Sequence, residues 1–135
     1  MKVFSETNIG LTRAENQDRV CTAVINDNTI LAVVCDGMGG QNAGGEASSK
    51  AAQIIFDRIT KVFRSDFDTK SIRNLLISSV ITANSVIYDM ALSSSDLIGM
   101  GTTCVIALVS DNILYAINVG DSRLYVINHE IRQIS

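Results

Sequence analysis

Two rhythms of apolar positions run along this chain. Arg19 to Ile25 and Thr29 to Cys35 are β-branched, apolar runs, and Asn26-Asp27-Asn28 between them has the composition of a hairpin turn. A shorter run, Val3 to Thr7, predicts a strand ahead of them. Thr29–Cys35 is apolar on consecutive residues, which predicts a strand covered on both faces. It ends in Asp36 to Gly45, where five of ten residues are glycine. The period then lengthens. Ala47, Ala51, Ile54, Ile55, Ile59, Val62 and Phe63 recur at three- and four-residue steps, the mark of an amphipathic helix, with Glu46 in its first turn. Asp68 or Thr69 caps a second helix whose buried stripe is Ile72, Leu75, Leu76, Val80, Ala83, Ile87, Met90 and Ala91. Ser93-Ser94-Ser95-Asp96 closes it.

Strand character returns at Thr102 to Val109. The two-residue turn Asp111-Asn112 and the run Ile113 to Val119 predict a tight hairpin. Gly120-Asp121 interrupts it, Ser122 to Ile127 follows as a strand, and Asn128-His129-Glu130 turns into Ile131 to Ser135. Strands, two helices and strands again, joined by turns, predict an α+β fold with antiparallel pairing and helices on one face of a sheet.

Composition narrows the class. The 135 residues include no proline and no tryptophan; 47% are hydrophobic and 19% charged, so a globular core of aliphatic residues is expected and disorder is excluded. Eleven Lys and Arg against fourteen Asp and Glu leave a net charge of −3 with no basic run, which removes the electrostatic footprint of a nucleic-acid binder. No unbroken apolar run approaches the ~20 residues of a membrane span, and the first residues lack a secretory signal core. A cytoplasmic protein is expected. Cys21, Cys35 and Cys104 sit inside strand-like runs and read as small core hydrophobes in a reducing compartment. His129, the only histidine, has no Cys or His partner nearby.

The glycine-rich loop invites two phosphate-binding readings, and both fail. The dinucleotide pattern starts correctly at Gly37-Met38-Gly39 but meets Asn42 where its third glycine belongs. Gly40 to Gly45 has P-loop spacing, yet Glu46-Ala47 follow in place of Lys-Ser/Thr, and a carboxylate there repels phosphate. What remains is acidic. Asp18 precedes a strand, Asp36 ends one, and Asp121 lies between two. Carboxylates without His or thiolate partners are hard oxygen donors suited to Mg²⁺ or Mn²⁺. Glycines after Asp36 let a backbone carbonyl come close. Arg13 offers a planar fork for a pair of phosphoryl oxygens. Taken singly, each residue has a structural reading as well: Asp-Gly makes turns, Asp121 can cap a bend, and Arg13 can be a solvated cation.

Whole motifs weigh more than single residues. Arg13-Ala14-Glu15-Asn16-Gln17-Asp18, Val34-Cys35-Asp36-Gly37-Met38-Gly39-Gly40, Gly45-Glu46-Ala47-Ser48, Met100-Gly101-Thr102-Thr103 and Asn118-Val119-Gly120-Asp121-Ser122-Arg123-Leu124-Tyr125 occur in that order. From Asn8 to Tyr125 the chain closely resembles the metal-dependent serine/threonine protein phosphatases of the type 2C class, in their bacterial form. The resemblance implies an α/β/β/α sandwich of antiparallel sheets flanked by helices, with metals in a cleft at one end of the sheets. It implies that Asp36 bridges two Mn²⁺ or Mg²⁺ ions and that the Gly37 carbonyl completes one of them. By the same likeness Asp18 holds the water between the metals, Arg13 grips the substrate phosphate, and Asp121 serves an additional, weaker metal site. The implied reaction is direct hydrolysis of phosphoserine or phosphothreonine in proteins, opposing a serine/threonine kinase.

Two residues depart from the family pattern: Met38 stands where some members have a histidine, and Gln17 where others have glutamate. The family's later aspartate motifs are missing from the 135 residues. The expectation is therefore a type 2C phosphatase-like domain over residues 1–135, truncated before its C-terminal metal-binding motifs, with an incomplete metal site. The alternative function is a catalytically silent, phosphatase-like regulatory or binding module. The truncated chain is also expected to self-associate, by pairing or exchanging strands.

Overall fold

A computed structural model describes residues 1–39 and 43–135. Gly40, Gln41 and Asn42, the middle of the glycine-rich loop, lie outside the described residues. The elements are β1 (Asp18–Asn26), β2 (Thr29–Met38), α1 (Ala43–Val62), α2 (Thr69–Ser93), a 3₁₀ turn (Ser95–Leu97), β3 (Gly101–Thr102), β4 (Cys104–Ser110), β5 (Ile113–Val119), β6 (Tyr125–Ile127) and β7 (Ile131–Gln133). The main sheet runs β1-β2-β4-β5, with β3 added to the end of β2, and every pair is antiparallel. β6 and β7 form a separate two-stranded sheet.

Local chemistry explains most of these boundaries. Asp111 and Asn112 take φ of 48° and 65°, the left-handed pair that a two-residue hairpin turn requires between β4 and β5. Asp68 caps α2: its carboxylate accepts the Ser71 N–H at 2.7 Å. Helix α1 starts at Ala43, earlier than the sequence pattern predicts, and takes in Gly44 and Gly45. The reason is packing. A Cβ on Gly44 would come within 2.4 Å of Gln17 Oε1 and 2.9 Å of the Gly37 carbonyl carbon, so only glycine lets the first turn of α1 lie against β2.

Both helices cover one face of the sheet. Along that side α1 presents mostly small residues, Ala43, Ala47, Ser48, Ala51 and Ala52, which bring its axis close before Ile55 and Ile59 fill the space. The core joins these to Leu31, Val33 and Cys35 of β2, Ile106 and Leu108 of β4, and Leu76 of α2. Cys35 and Cys104 are buried within it, and all three thiols are free.

Three expectations need correction. Val3–Thr7 is not a strand. Among the described residues it makes no ladder bonds, and it is tied only at its ends, by the Met1 amino group on the Asp27 carbonyl and by Asn16 Nδ2 on Thr7 Oγ1 at 2.8 Å. β2 is covered on one face only: Leu31, Val33 and Cys35 are fully buried beneath the helices, whereas Val34 on the other face is 40% exposed. Finally, one helix, Thr69–Ser93, is long and apolar enough to cross a membrane, although no unbroken run suggested it. Here it packs along α1 and supplies Ile72, Leu75 and Leu76 to the core. The predicted strand Thr102–Val109 is also divided, at Thr103, for a reason that belongs to the site.

Candidate metal centre

The end of the β1–β2 hairpin gathers the acidic residues. In the ladder Asp18 stands opposite Asp36, and β3 continues on the other side of β2 with Thr102 opposite Gly37. Directly opposed residues on antiparallel strands project to the same face, and like charges in that position destabilise the pair. Burial and the charge and contact of Asp18 raise the Asp36 carboxyl above the usual carboxylate range. Asp121 adds to the rise and Arg13 opposes it.

Four of the five residues singled out in the sequence, Arg13, Asp18, Asp36 and Gly37, line one cleft of about 180 Å³ together with Asn8, Asn16 and Gln17. The fifth, Asp121, follows Gly120 in the loop after β5 and is near enough to act on Asp36. A larger cleft of about 440 Å³ shares Glu15 and Asn16 with this one and runs on to Arg19, Glu46 and Ser49.

The main chain around Asp36 is held tightly. Thr103 N–H donates to the Asp36 carbonyl at 2.9 Å, Thr102 Oγ1 donates to the same carbonyl at 2.9 Å, and Asp36 N–H donates to Thr103 Oγ1 at 3.0 Å. Because the Asp36 N–H goes to a hydroxyl instead of a main-chain carbonyl, the ladder breaks at Thr103, and β3 and β4 count as separate strands. Thr103 Oγ1 also shares a 2.8 Å hydrogen bond with Ser122 Oγ. One buried hydroxyl thus ties the strand that carries Asp36 to the loop that carries Asp121. Gly120 makes this approach possible: its φ is +102°, and a Cβ there would lie 2.7 Å from Thr103 Cγ2.

Gly37 is constrained as closely. Its N–H donates to the Gln17 carbonyl at 3.2 Å, and a Cβ would fall 2.1 Å from the Gly44 carbonyl oxygen. Ser48 Oγ donates to the same Gln17 carbonyl, which fixes α1 against the β1 end of the cleft. Met38 is 58% exposed. Asn16, Thr103 and Ser122 belong to the site as well, and their only signal in the sequence is that they fall within the motifs around Asp18, Gly101 and Asp121.

The donors suit a hard divalent cation. They are carboxylates and a glycine carbonyl, with no imidazole or thiolate among them, and mutual repulsion already raises the proton affinity of Asp36. They do not make a full cage: among the described residues, no three His, Cys, Asp or Glu side chains are grouped closely enough to hold a metal ion.

Comparison with known proteins bears on this arrangement. The profile of the family described as Protein phosphatase 2C matches residues 12–135. Serine/threonine phosphatase stp of Listeria monocytogenes is 35% identical over 130 residues, covering 96% of this chain and 51% of that protein. Serine/threonine protein phosphatase PstP of Mycobacterium tuberculosis is 31% identical over 136 residues, covering 100% of this chain and 24% of its own length. The crystal structure of Stp1 from Staphylococcus aureus superposes with a TM-score of 0.86 at 36% identity, over 96% of this chain and 51% of that one. The PstP catalytic domain in complex with two manganese ions superposes with a TM-score of 0.76 at 33% identity, over 96% and 53%. The chain spans about half the length of the Listeria relative it matches.

Proposed function

The chain belongs to the protein phosphatase 2C family, and from that premise we propose that the whole protein hydrolyses phosphoserine and phosphothreonine in proteins, using Mn²⁺ or Mg²⁺. The observation that carries the reading is the opposed pair Asp18–Asp36 in one cleft with Arg13. Asp36 and the Gly37 carbonyl would hold the metal, and Asp121 would contribute to a further, weaker site. When bound, the ions lower the pKa of water and neutralise charge on the phosphoryl group. Arg13 supplies a bidentate grip that orients the phosphate in the cleft. Asp18 accepts a hydrogen bond from the attacking water and keeps it in line. Thr102 and Thr103 hold the Asp36 main chain still, so the carboxylate needs little reorganisation as charge develops. No serine, cysteine or histidine nucleophile is required, which agrees with the burial of Cys35 and Cys104 and the exposed position of His129 in the β6–β7 turn.

The substrates are phosphoproteins, opposing a serine/threonine kinase, and the protein works in the cytoplasm, without nucleic acid or membrane. The test is release of phosphate from a phosphothreonine peptide in Mn²⁺, by the chain at the full length of its relatives. Asp36→Asn is expected to abolish turnover while leaving the fold intact; substantial remaining activity would refute the metal role of Asp36.

The absence of a three-group cage among the described residues favours a second reading for the 135 residues alone: a phosphatase-like module that is catalytically silent. In that case residues 1–135 bind a phosphothreonine peptide through Arg13 without releasing phosphate. Turnover by the 135-residue chain itself would exclude this.

A further inference from the structure

Two of the three thiols face each other across the sheet. The β2–β4 ladder pairs Val34 with Val105, so the next step of the same register sets Cys35 opposite Cys104. One residue further on, the Thr103 N–H donates to the Asp36 carbonyl and the Asp36 N–H turns to Thr103 Oγ1. Asp36 and Thr103 thus stand as a hydrogen-bonded pair, and Cys35–Cys104 beside it is the intervening pair without ladder bonds of its own. Residues in such a pair have Cα atoms about 4.5 Å apart, with side chains closer than at the hydrogen-bonded positions. Both cysteines belong to the helix-covered core, and their thiols are hydrogen-bonded to each other.

That separation lies within the range a disulfide spans, about 4.4–6.8 Å between Cα atoms, but at its short end. The same geometry excludes Cys21. It pairs with Val33, which makes Cys35 a diagonal neighbour at about 7–8 Å, too far for a bond unless the backbone moves. To reach the usual Cα separation of about 5.5–6 Å, a Cys35–Cys104 bond has to part β2 and β4 by about 1 Å. The strands part next to the hydrogen bonds that hold the Asp36 main chain. A strained disulfide is also an easily reduced one, of the kind that switches and does not staple.

We propose that Cys35 and Cys104 form a reversible cross-strand disulfide when a peroxide oxidises them, and that this bond loosens the strand end carrying Asp36. Burial screens the pair from bulky disulfides, so the oxidant is a small peroxide. Cys104, 5% exposed against 0% for Cys35, meets it first. Its sulfur attacks one peroxide oxygen, the O–O bond breaks, and the departing hydroxide takes the Cys104 proton and leaves as water. The Cys35 sulfur then attacks the sulfenic sulfur of Cys104. The S–S bond forms, the S–O bond breaks, and the hydroxyl leaves with the Cys35 proton as a second water. The two thiols lose two electrons and the peroxide gains them. The disulfide does not depend on the catalytic reading; its consequence for Mn²⁺ rests on that reading.

Hydrogen peroxide treatment of the chain, followed by thiol titration in denaturant, tests the proposal. Two of the three free thiols are expected to disappear and to return with dithiothreitol, and peptide mass mapping to join Cys35 to Cys104. Cys21→Ala is expected to lose both thiols that remain to it, and Cys104→Ala to form no bond within the chain. The Thr103 amide, which donates to Asp36, is expected to lose protection from hydrogen exchange on oxidation of the unsubstituted chain and of Cys21→Ala, but not of Cys104→Ala. Mn²⁺ affinity by calorimetry is expected to fall at least about tenfold in the same samples, the size of effect that disturbing the groups behind a metal ligand has. Three results would overturn the proposal: three free thiols after peroxide; a linkage that includes Cys21; or a Cys35–Cys104 bond that leaves Thr103 exchange unchanged, which would make it a structural staple. A reduced chain that binds no Mn²⁺ would refute the metal reading instead, and the thiol count and Thr103 exchange would still decide the redox pair.

Discussion

Asp18 and Asp36 are directly paired residues at the open end of the β1–β2 ladder, so two carboxylates leave the same face of adjacent strands. A sheet gains nothing from that pairing; burial and the neighbouring carboxylate both push the Asp36 proton affinity up. A cation bound between the two strand ends would relieve that repulsion, which the fold otherwise carries.

The linkage has a definite sign. A carboxyl whose folded pKa lies above its ordinary value of 3.8 stabilises the fold fully below that value, and the contribution is lost as pH rises through the raised folded value. Asp36→Asn is therefore expected to raise the Tm of the metal-free protein at neutral pH, modestly, because the group is largely solvated. The same substitution is expected to remove stabilisation by Mn²⁺. A ligand at a hundred times its Kd adds about 2.7 kcal/mol to a protein that binds it only when folded. Thermal melts with and without Mn²⁺ check both halves. A lower metal-free Tm for Asp36→Asn would contradict the repulsion.

Neighbouring glycines are expected to respond in opposite directions. A Cβ at Gly37 meets main-chain oxygens of Gly44 and Gln17 at 2.1 and 2.8 Å, and none of these atoms can swing aside. Gly37→Ala is expected to cost at least the upper part of the overpacking range of about 1–3 kcal/mol. Gly45, inside α1, has nothing nearer than Gln17 Cγ at 3.8 Å. Gly45→Ala is expected to stabilise by about 0.5–1 kcal/mol through helix propensity and chain entropy. Urea midpoints of the two variants decide it.

Both helices, the hairpin turn at Asp111-Asn112 and the acidic cluster were legible in the sequence because local chemistry dictates them: period, cap, left-handed turn residues and motif. What was not legible depends on neighbours distant in the chain. The composition of Val3–Thr7 suits a strand, but a strand exists only where another edge pairs with it. Ile30, Ala32 and Val34 are as apolar as Leu31 and Val33, so no pattern within β2 could reveal that both helices lie on one side. Gly44 reads as loop because glycine disfavours helix, and the contact with Gly37 that requires it joins the first turn of α1 to the end of β2. The role of Thr103 emerges only when its hydroxyl is seen beside Asp36 and Ser122.

The cap of α2 offers a test at an independent site. The hydrogen bond from Ser71 lowers the Asp68 carboxyl below its ordinary range. A depressed folded pKa contributes stability above the unfolded value, and the contribution is lost as pH falls through the folded one. Asp68→Ala is expected to lower Tm at pH 7 and to leave it nearly unchanged well below pH 3.8, where the unsubstituted chain has lost the charged cap as well. Asp68→Asn, which keeps an acceptor oxygen, is expected to retain most of the stability at pH 7.

Thr103 separates holding the site from holding the fold. Thr103→Val keeps the shape but leaves the Asp36 N–H without its acceptor and Ser122 without its partner. An unsatisfied buried donor costs about 1–3 kcal/mol, and the urea midpoint is expected to fall accordingly. The larger effect is expected on the site: the Asp36 strand and the Asp121 loop lose the hydroxyl that joins them, so Mn²⁺ affinity measured by calorimetry falls at temperatures where the variant is still fully folded. Thr103→Ser keeps the hydroxyl and loses only a methyl that touches Gly120, so it is expected to recover metal affinity ahead of stability. If Val and Ser variants bind Mn²⁺ equally well, the hydroxyl is a strand-packing feature and does not position Asp36.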